Sequence, residues 1–243
     1  MRRTATVNGV AVVIAALGIG LVGCGSSSTP SSNKTSSSAS TATTGAPTTS
    51  AQPQSKVAPR TIVPGPNPTI DSYLQQSNIK ETPVHRGDPD APTIDFPMPD
   101  GWADAGPDTP PTAYWAIVDN GPEAAKYTPS IVATLFRLEG DPDPQKLLDL
   151  APNETKNLPG FKPHGDGAEG DFAGSPAYQL AGTWVDNGQT KAVAQKTVVI
   201  NGNDAIYLLR LNADCLPDQI EKVLPATATI DDKTKITGTA PSQ

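Results

Sequence analysis

Two Asn-Gly pairs, Asn187-Gly188 and Asn201-Gly202, constrain this chain more than any other feature. Asn and Gly tolerate the positive φ of a two-residue reversal, and the twist of paired strands favours that reversal. The flanks match. Tyr178, Leu180 and Trp184 share one parity before the first pair, an apolar-rich run from Lys191 to Ile200 separates the pairs, and Ala205 to Ala213 follows the second. Three strands joined by two tight turns make an antiparallel meander, so the C-terminal half is committed to sheet.

The residues before the meander add helices and further strands. Thr69 is placed to cap a helix carrying Ile70, Tyr73 and Leu74 at helical spacing. Thr93 to Phe96 reads as a short strand. Asp100-Gly101 reads as a turn before Trp102, and Thr112 to Val118 and Ser130 to Leu138 as strands. Asp143 and Pro144 open a second helix with Leu147, Leu148 and Ala151 on one face, which Pro152 either shortens or joins as its last turn. A third spans Pro217 to Thr229, with Ile220, Val223 and Leu224 apolar. The expected class is α+β: an antiparallel sheet flanked by helices on both faces, an α/β/α sandwich.

The first 66 residues cannot build such a core. Arg2 and Arg3 precede thirteen uncharged apolar residues, Val10 to Val22, and then Gly23-Cys24. Thirteen residues rise about 20 Å as a helix, short of a hydrocarbon core about 30 Å thick, which favours a cleaved signal peptide over a permanent span. Leu21-Val22-Gly23-Cys24 is similar to the bacterial lipobox. Cys24 is therefore the expected lipidation site, with several acyl chains holding better than one. From Gly25 to Pro66 the chain has 42 residues, 19 of them Ser or Thr, with Lys34, Lys56 and Arg60 as its charges. That composition predicts a disordered tether, of a kind that also suits O-glycosylation. The expected organisation is residues 1–23 signal peptide, 24–66 lipidated cysteine and linker, and 67–243 globular domain.

Charge narrows the partners. Arg2, Arg3, Lys34, Lys56 and Arg60 precede Asn67, whereas all 25 acidic residues follow it, so 13 of the 18 basic residues leave the domain a net charge of −12. Such a surface repels nucleic acid and anionic headgroups, so membrane contact falls to the lipid. The location expected is the extracytoplasmic face of the cell membrane.

Catalytic signals are poor. Gly165-Asp166-Gly167-Ala168-Glu169-Gly170 spells a dinucleotide fingerprint, but Pro163 and His164 precede it and its acids would face a pyrophosphate, so it reads as an acidic surface turn. The same acids lack the spacing of a calcium loop. His85 and His164 have no second ligand at a metal spacing. Ser175 lies in Gly174-Ser175-Pro176, without the second glycine of a nucleophile elbow. Cys215 follows Asp214, which opposes a thiolate, and reads as a small buried residue. Arg86-Gly87-Asp88 spells an adhesion tripeptide but reads as an exposed turn. The expectation is no catalytic residue, no metal, no cofactor, and a ligand site that the sequence does not place.

Several blocks together resemble the LpqN/LpqT family of mycobacterial lipoproteins: Glu81-Thr82-Pro83-Val84-His85, Gly87-Asp88-Pro89, Pro92-Thr93-Ile94-Asp95, Pro97 to Trp102, Gly140-Asp141, Asn157-Leu158-Pro159-Gly160-Phe161, Val193 to Ile200 and Leu211-Asn212-Ala213-Asp214. The resemblance covers about Asn67 to Asp232, and departs from the family at Cys215, where a small residue such as Ala is expected. It implies a Mog1/PsbP-like fold. It also implies a non-enzymatic accessory role in the mycobacterial envelope, with an envelope lipid or a membrane lipid transporter as partner. A surface antigen acting on host proteins and a hydrolase with an unrecognised site are the rival readings.

Overall fold

The computed structural model describes residues 56–57 and 63–239. The apolar run, Cys24 and most of the linker lie outside the described residues. In chain order the elements are α1 (Ile70–Gln76), β1 (Lys80–Val84), β2 (Thr93–Asp95), β3 (Trp102–Asp104), β4 (Trp115–Asp119), β5 (Ser130–Glu139), α2 (Pro144–Lys156), β6 (Lys162–Pro163), β7 (Ala168–Phe172), β8 (Ser175–Asp186), β9 (Gln189–Asn201), β10 (Ile206–Cys215), α3 (Ile220–Lys233) and β11 (Lys235–Thr237).

The meander forms as expected at its first turn. Asn187 and Gly188 take φ of 47° and 82°, both positive, and set Asp186 opposite Gln189. The second reversal differs from expectation. Asn201 ends β9 opposite Ile206, and the chain turns at Asn203-Asp204, closed by the Gly202 N–H donating to the Ala205 carbonyl at 2.9 Å. A third reversal, at Ala173-Gly174, has the same positive φ pair and joins β7 to β8.

The large sheet is antiparallel, in the order β3-β4-β5-β10-β9-β8-β6. The long strands β5, β10, β9 and β8 form its body. Short strands share the outer edges: β1 and β4 both pair with β5, and β6 and β7 both pair with β8. β2 and β11 make a separate two-stranded ribbon.

Helices cover both faces, as the pattern requires. α3 presents Val223, Ala226 and Ile230 to one face, where the larger apolar cluster holds Leu135, Val198, Tyr207 and Leu209. α1 and α2 pack on the other face, with Ile70, Leu74, Leu147 and Leu148 over Leu138, Val199 and Leu208. Thr69 and Ser72 form a reciprocal capping box on α1, and Asp143 caps α2 through the amides of Gln145 and Lys146. Pro152 lies inside α2, which runs on to Lys156. A proline costs the helix one hydrogen bond, and Pro152 is buried where packing offsets that loss.

Order also reaches into the stretch read as linker. Val57 is only 2 % exposed and packs with Ala105, Ala116 and Val118. Asn67 and Asn157 exchange hydrogen bonds: the Asn67 backbone N–H and side-chain amide donate to Asn157 Oδ1 at 3.1 and 2.9 Å, and Asn157 Nδ2 donates to the Asn67 carbonyl at 2.9 Å.

Candidate functional site on the open half of a sheet face

Directly opposed residues of an antiparallel sheet share a face. By register, Leu208, Arg210, Asn212 and Asp214 of β10 therefore lie on the same face as Val199, Thr197, Gln195 and Val193 of β9. So do Gly182 and Trp184 of β8 and Val132 of β5. This is the face that α1 and α2 cover. On the sheet their apolar cluster buries Leu138, Val199 and Leu208 and takes in the half-buried Tyr178 and Ile206, whereas Val132, Asn212, Val193 and Trp184 lie outside it and are half-buried. The face thus has a covered half and an open half.

Arg210 marks the boundary. Its guanidinium lies 2.7 Å from Asp71 of α1, 3.6 Å from Glu81 of β1 and 4.0 Å from Glu154 of α2, with the Phe136 ring 6.0 Å away. Burial disfavours its charge, but Glu154, Asp71 and Glu81 outweigh that and raise its pKa. Burial also raises the Glu81 carboxyl, while Arg210 pulls it back. Beside this set, Gln195 donates to Glu154 at 3.2 Å and accepts from the Thr155 hydroxyl. Apart from the Phe136 ring, each of these contacts ties a helix or edge strand to the sheet.

The open half carries aromatic side chains and a second buried cation. Phe161, in the turn before β6, lies so close to Gly182 that a Cβ there would stand 2.6 Å from its ring and 2.4 Å from the Lys162 carbonyl. Trp184 follows on the same face, and its indole N–H is buried without a hydrogen-bond partner. Opposite it, Lys191 pairs with Asp186 at 2.7 Å and lies 5.0 Å from the Tyr127 ring centroid and 5.7 Å from that of Trp184. The Tyr127 hydroxyl donates to Asp214. Burial pushes the Tyr127 pKa well up, and the Asp214 hydrogen bond adds to it. Burial raises the Asp214 carboxyl, while Tyr127 and Lys191 pull it back. The half-face thus presents parts of two aromatic side chains, with the Trp184 N–H and the paired Lys191 ammonium buried beside them.

In the sequence Phe161 and Trp184, like Trp102, Tyr114, Trp115 and Tyr178, read mostly as core aromatics of which some could line an apolar pocket between helix and sheet, and none is assigned to a site. A signal existed for one pair: the Asn187-Gly188 turn sets Trp184 opposite Lys191 once its type is known. Residues that were considered lie elsewhere and apart. His85 is exposed, its ring nitrogen 2.9 Å from the Pro111 carbonyl. His164 is exposed in the turn after β6. Ser175 is buried beside the β7–β8 turn. Cys215 is buried and its thiol is pushed up to about 12, chiefly by burial and then by Asp214 and Asp218, which opposes a thiolate nucleophile. Arg86 stands over the Tyr114 ring at 5.9 Å, next to a turn in which Gly87 has a φ of 91°. The Gly165 to Gly170 letters span a turn and then the exposed strand β7, not a strand opening a helix. Among the described residues there is no group of three or more His, Cys, Asp or Glu side chains arranged to hold a metal ion. Among them, too, no helix is long and apolar enough to cross a membrane, a statement that does not bear on membrane-spanning strands.

The family model described as "Probable lipoprotein LpqN" matches residues 66–237. The chain belongs to the LpqN lipoprotein family. Within that family it is 47 % identical over 173 residues to lipoprotein LpqN of Mycobacterium tuberculosis, covering 71 % of this chain and 75 % of the relative. The fold agrees with a crystal structure of LpqN described as involved in cell envelope biogenesis of Mycobacterium tuberculosis. The TM-score is 0.67 at 46 % identity, over 71 % of this chain and 99 % of that one. A more distant relative, the proline-rich 28 kDa antigen homolog of Mycobacterium leprae, is 24 % identical over 162 residues, 67 % of this chain and 58 % of the relative. The resemblance read in the sequence and the antiparallel sheet between helices are thus both found.

Proposed function

We propose that this LpqN-family chain is a lipid-anchored, extracytoplasmic accessory protein, non-enzymatic, that binds an envelope lipid on the open half of its sheet. The anchor is Cys24, and the acidic domain relies on it for membrane contact. The observation that carries the reading is the aromatic surface of Phe161 and Trp184 with a buried indole N–H that lacks a partner. A buried donor left unpaired costs about 1–3 kcal/mol, a cost that a ligand oxygen at that position would relieve. The aromatic rings would take the apolar part of the same ligand. The M. tuberculosis relative's description as involved in cell envelope biogenesis supports the class of ligand. A membrane lipid transporter is the partner to which such a protein would pass its cargo.

Native mass spectrometry of the protein purified from its own cells tests this. Acyl lipid should accompany the wild type, beyond the mass of the anchor, and be lost in Trp184→Ala. A wild type that carries no lipid and co-purifies with no transporter overturns the proposal. Separately, Cys24→Ala should move the protein from the membrane to the soluble fraction, and its retention on membranes would remove the anchor from the account.

A further inference from the structure

The open half-face has an apolar margin at β4, and Val57 packs on it. Ala116 and Val118 of β4, Ala105 before it and Val132 of β5 form one apolar cluster with Val57, and their side chains make the slot in which it sits. Two alanines among valines leave room there for one more side chain, and Val57 fills it at 2 % exposure. By register, Ala116 lies opposite Val132, on the face that also carries Asn212 and Trp184. At the far margin of that face the chain is held again. Besides the Asn67–Asn157 exchange, Asn153 Nδ2 donates to the Pro68 carbonyl at 2.7 Å. Gly65 approaches so closely that a Cβ there would stand 2.3 Å from Asn157 Cγ. A valine in a Ser/Thr/Pro-rich stretch has no local reason to be buried. Its burial is a tertiary contact with the sheet.

We propose that Val57 is a built-in occupant of this slot, an autoinhibitory contact that an acyl chain entering the open half-face must displace. The coupling to ligand rests on the proposed lipid binding; the docking of Val57 does not. Burial of one valine favours docking by about tenfold or more, enough to keep Val57 seated yet within reach of a competing acyl chain. Ligand binding and release of the linker then become one equilibrium.

Two measurements separate the parts. Trypsin is applied to membranes holding the full chain, and the released fragments are identified by their first residue. Cleavage after Lys34 serves as the reference, and cleavage after Lys56 should be about tenfold slower, because proteolysis follows the undocked population. Val57→Thr, which keeps the shape, and Ala116→Leu, which fills the slot from the sheet side, should both bring the Lys56 rate up to the reference. Equal rates in the wild type overturn the docking. For the coupling, cis-parinaric acid is titrated by fluorescence into the Cys24→Ala chain. Adding Val57→Thr should tighten binding about tenfold, and adding Ala116→Leu should weaken it. Binding that neither substitution changes overturns the autoinhibitory contact while leaving lipid binding intact. No binding in any variant overturns lipid binding and the coupling together, and leaves docking to be judged by the trypsin rates.

Discussion

Arg210 and Lys191 are both buried cations on neighbouring central strands, facing the same side of one sheet, yet they are satisfied in opposite ways. Arg210 draws carboxylates from α1, β1 and α2. Lys191 draws one carboxylate, Asp186, from its own hairpin, and meets aromatic rings for the rest. The first arrangement fastens separate elements together. The second takes its carboxylate from its own hairpin and its rings from Trp184 of β8 and from Tyr127 in the loop before β5. Arg210 is thus a joint between three carboxylate-bearing elements, whereas Lys191 has one paired carboxylate and sits among rings.

Substitutions test that contrast, beginning with the largest effect. Arg210→Ala strands Asp71, Glu81 and Glu154 without their counter-charge and should cost about 3–5 kcal/mol in urea unfolding. A loss below 1 kcal/mol would deny Arg210 its role as the joint. Lys191→Met keeps the buried stem and leaves Asp186 half-exposed to water. It should cost only about 1–2 kcal/mol, and a loss equal to that of Arg210→Ala would erase the distinction. Trp184→Ala removes a half-buried ring and should cost no more than Lys191→Met in stability, while abolishing the lipid signal in native mass spectrometry.

Asp214 gives the smallest effect and the most specific sign. Its folded pKa is raised, so its ionised form is a cost in the folded state that protonation relieves. Asp214→Asn should therefore be neutral or stabilising near pH 7. Its advantage should shrink as pH falls through the raised pKa and level off below the ordinary carboxylate value of about 3.9. An advantage that grows on acidification would mean that Asp214 is held ionised by Lys191.

The sequence made the local parts of this molecule legible. Asn187-Gly188, the Thr69 cap and the Asp143-Pro144 start act over a few residues, and each appears where its chemistry puts it. β1 was not visible, because Lys80 to Val84 has no alternation and contains Pro83. It is tolerated there because β1 pairs with β5 along one edge and proline needs no bond on the other. β7 was hidden by Glu169 and Asp171, since acids on an exposed strand look like a loop. The open half-face was the hardest to see. Tyr127 meets Asp214 across 87 positions, and no local pattern encodes such a distance.

The strand order has a consequence for how the chain is born. β10 lies at the centre of the sheet between β5 and β9, yet it is the last of the long strands in sequence. A chain that leaves a ribosome or a translocon N-terminus first must present β1, β4 and β5 with one long edge unpaired until Cys215 has emerged. Unpaired edges invite pairing with other chains. The molecule thus closes only at its end, all at once, and a truncation before β10 should yield an aggregating fragment rather than a smaller domain.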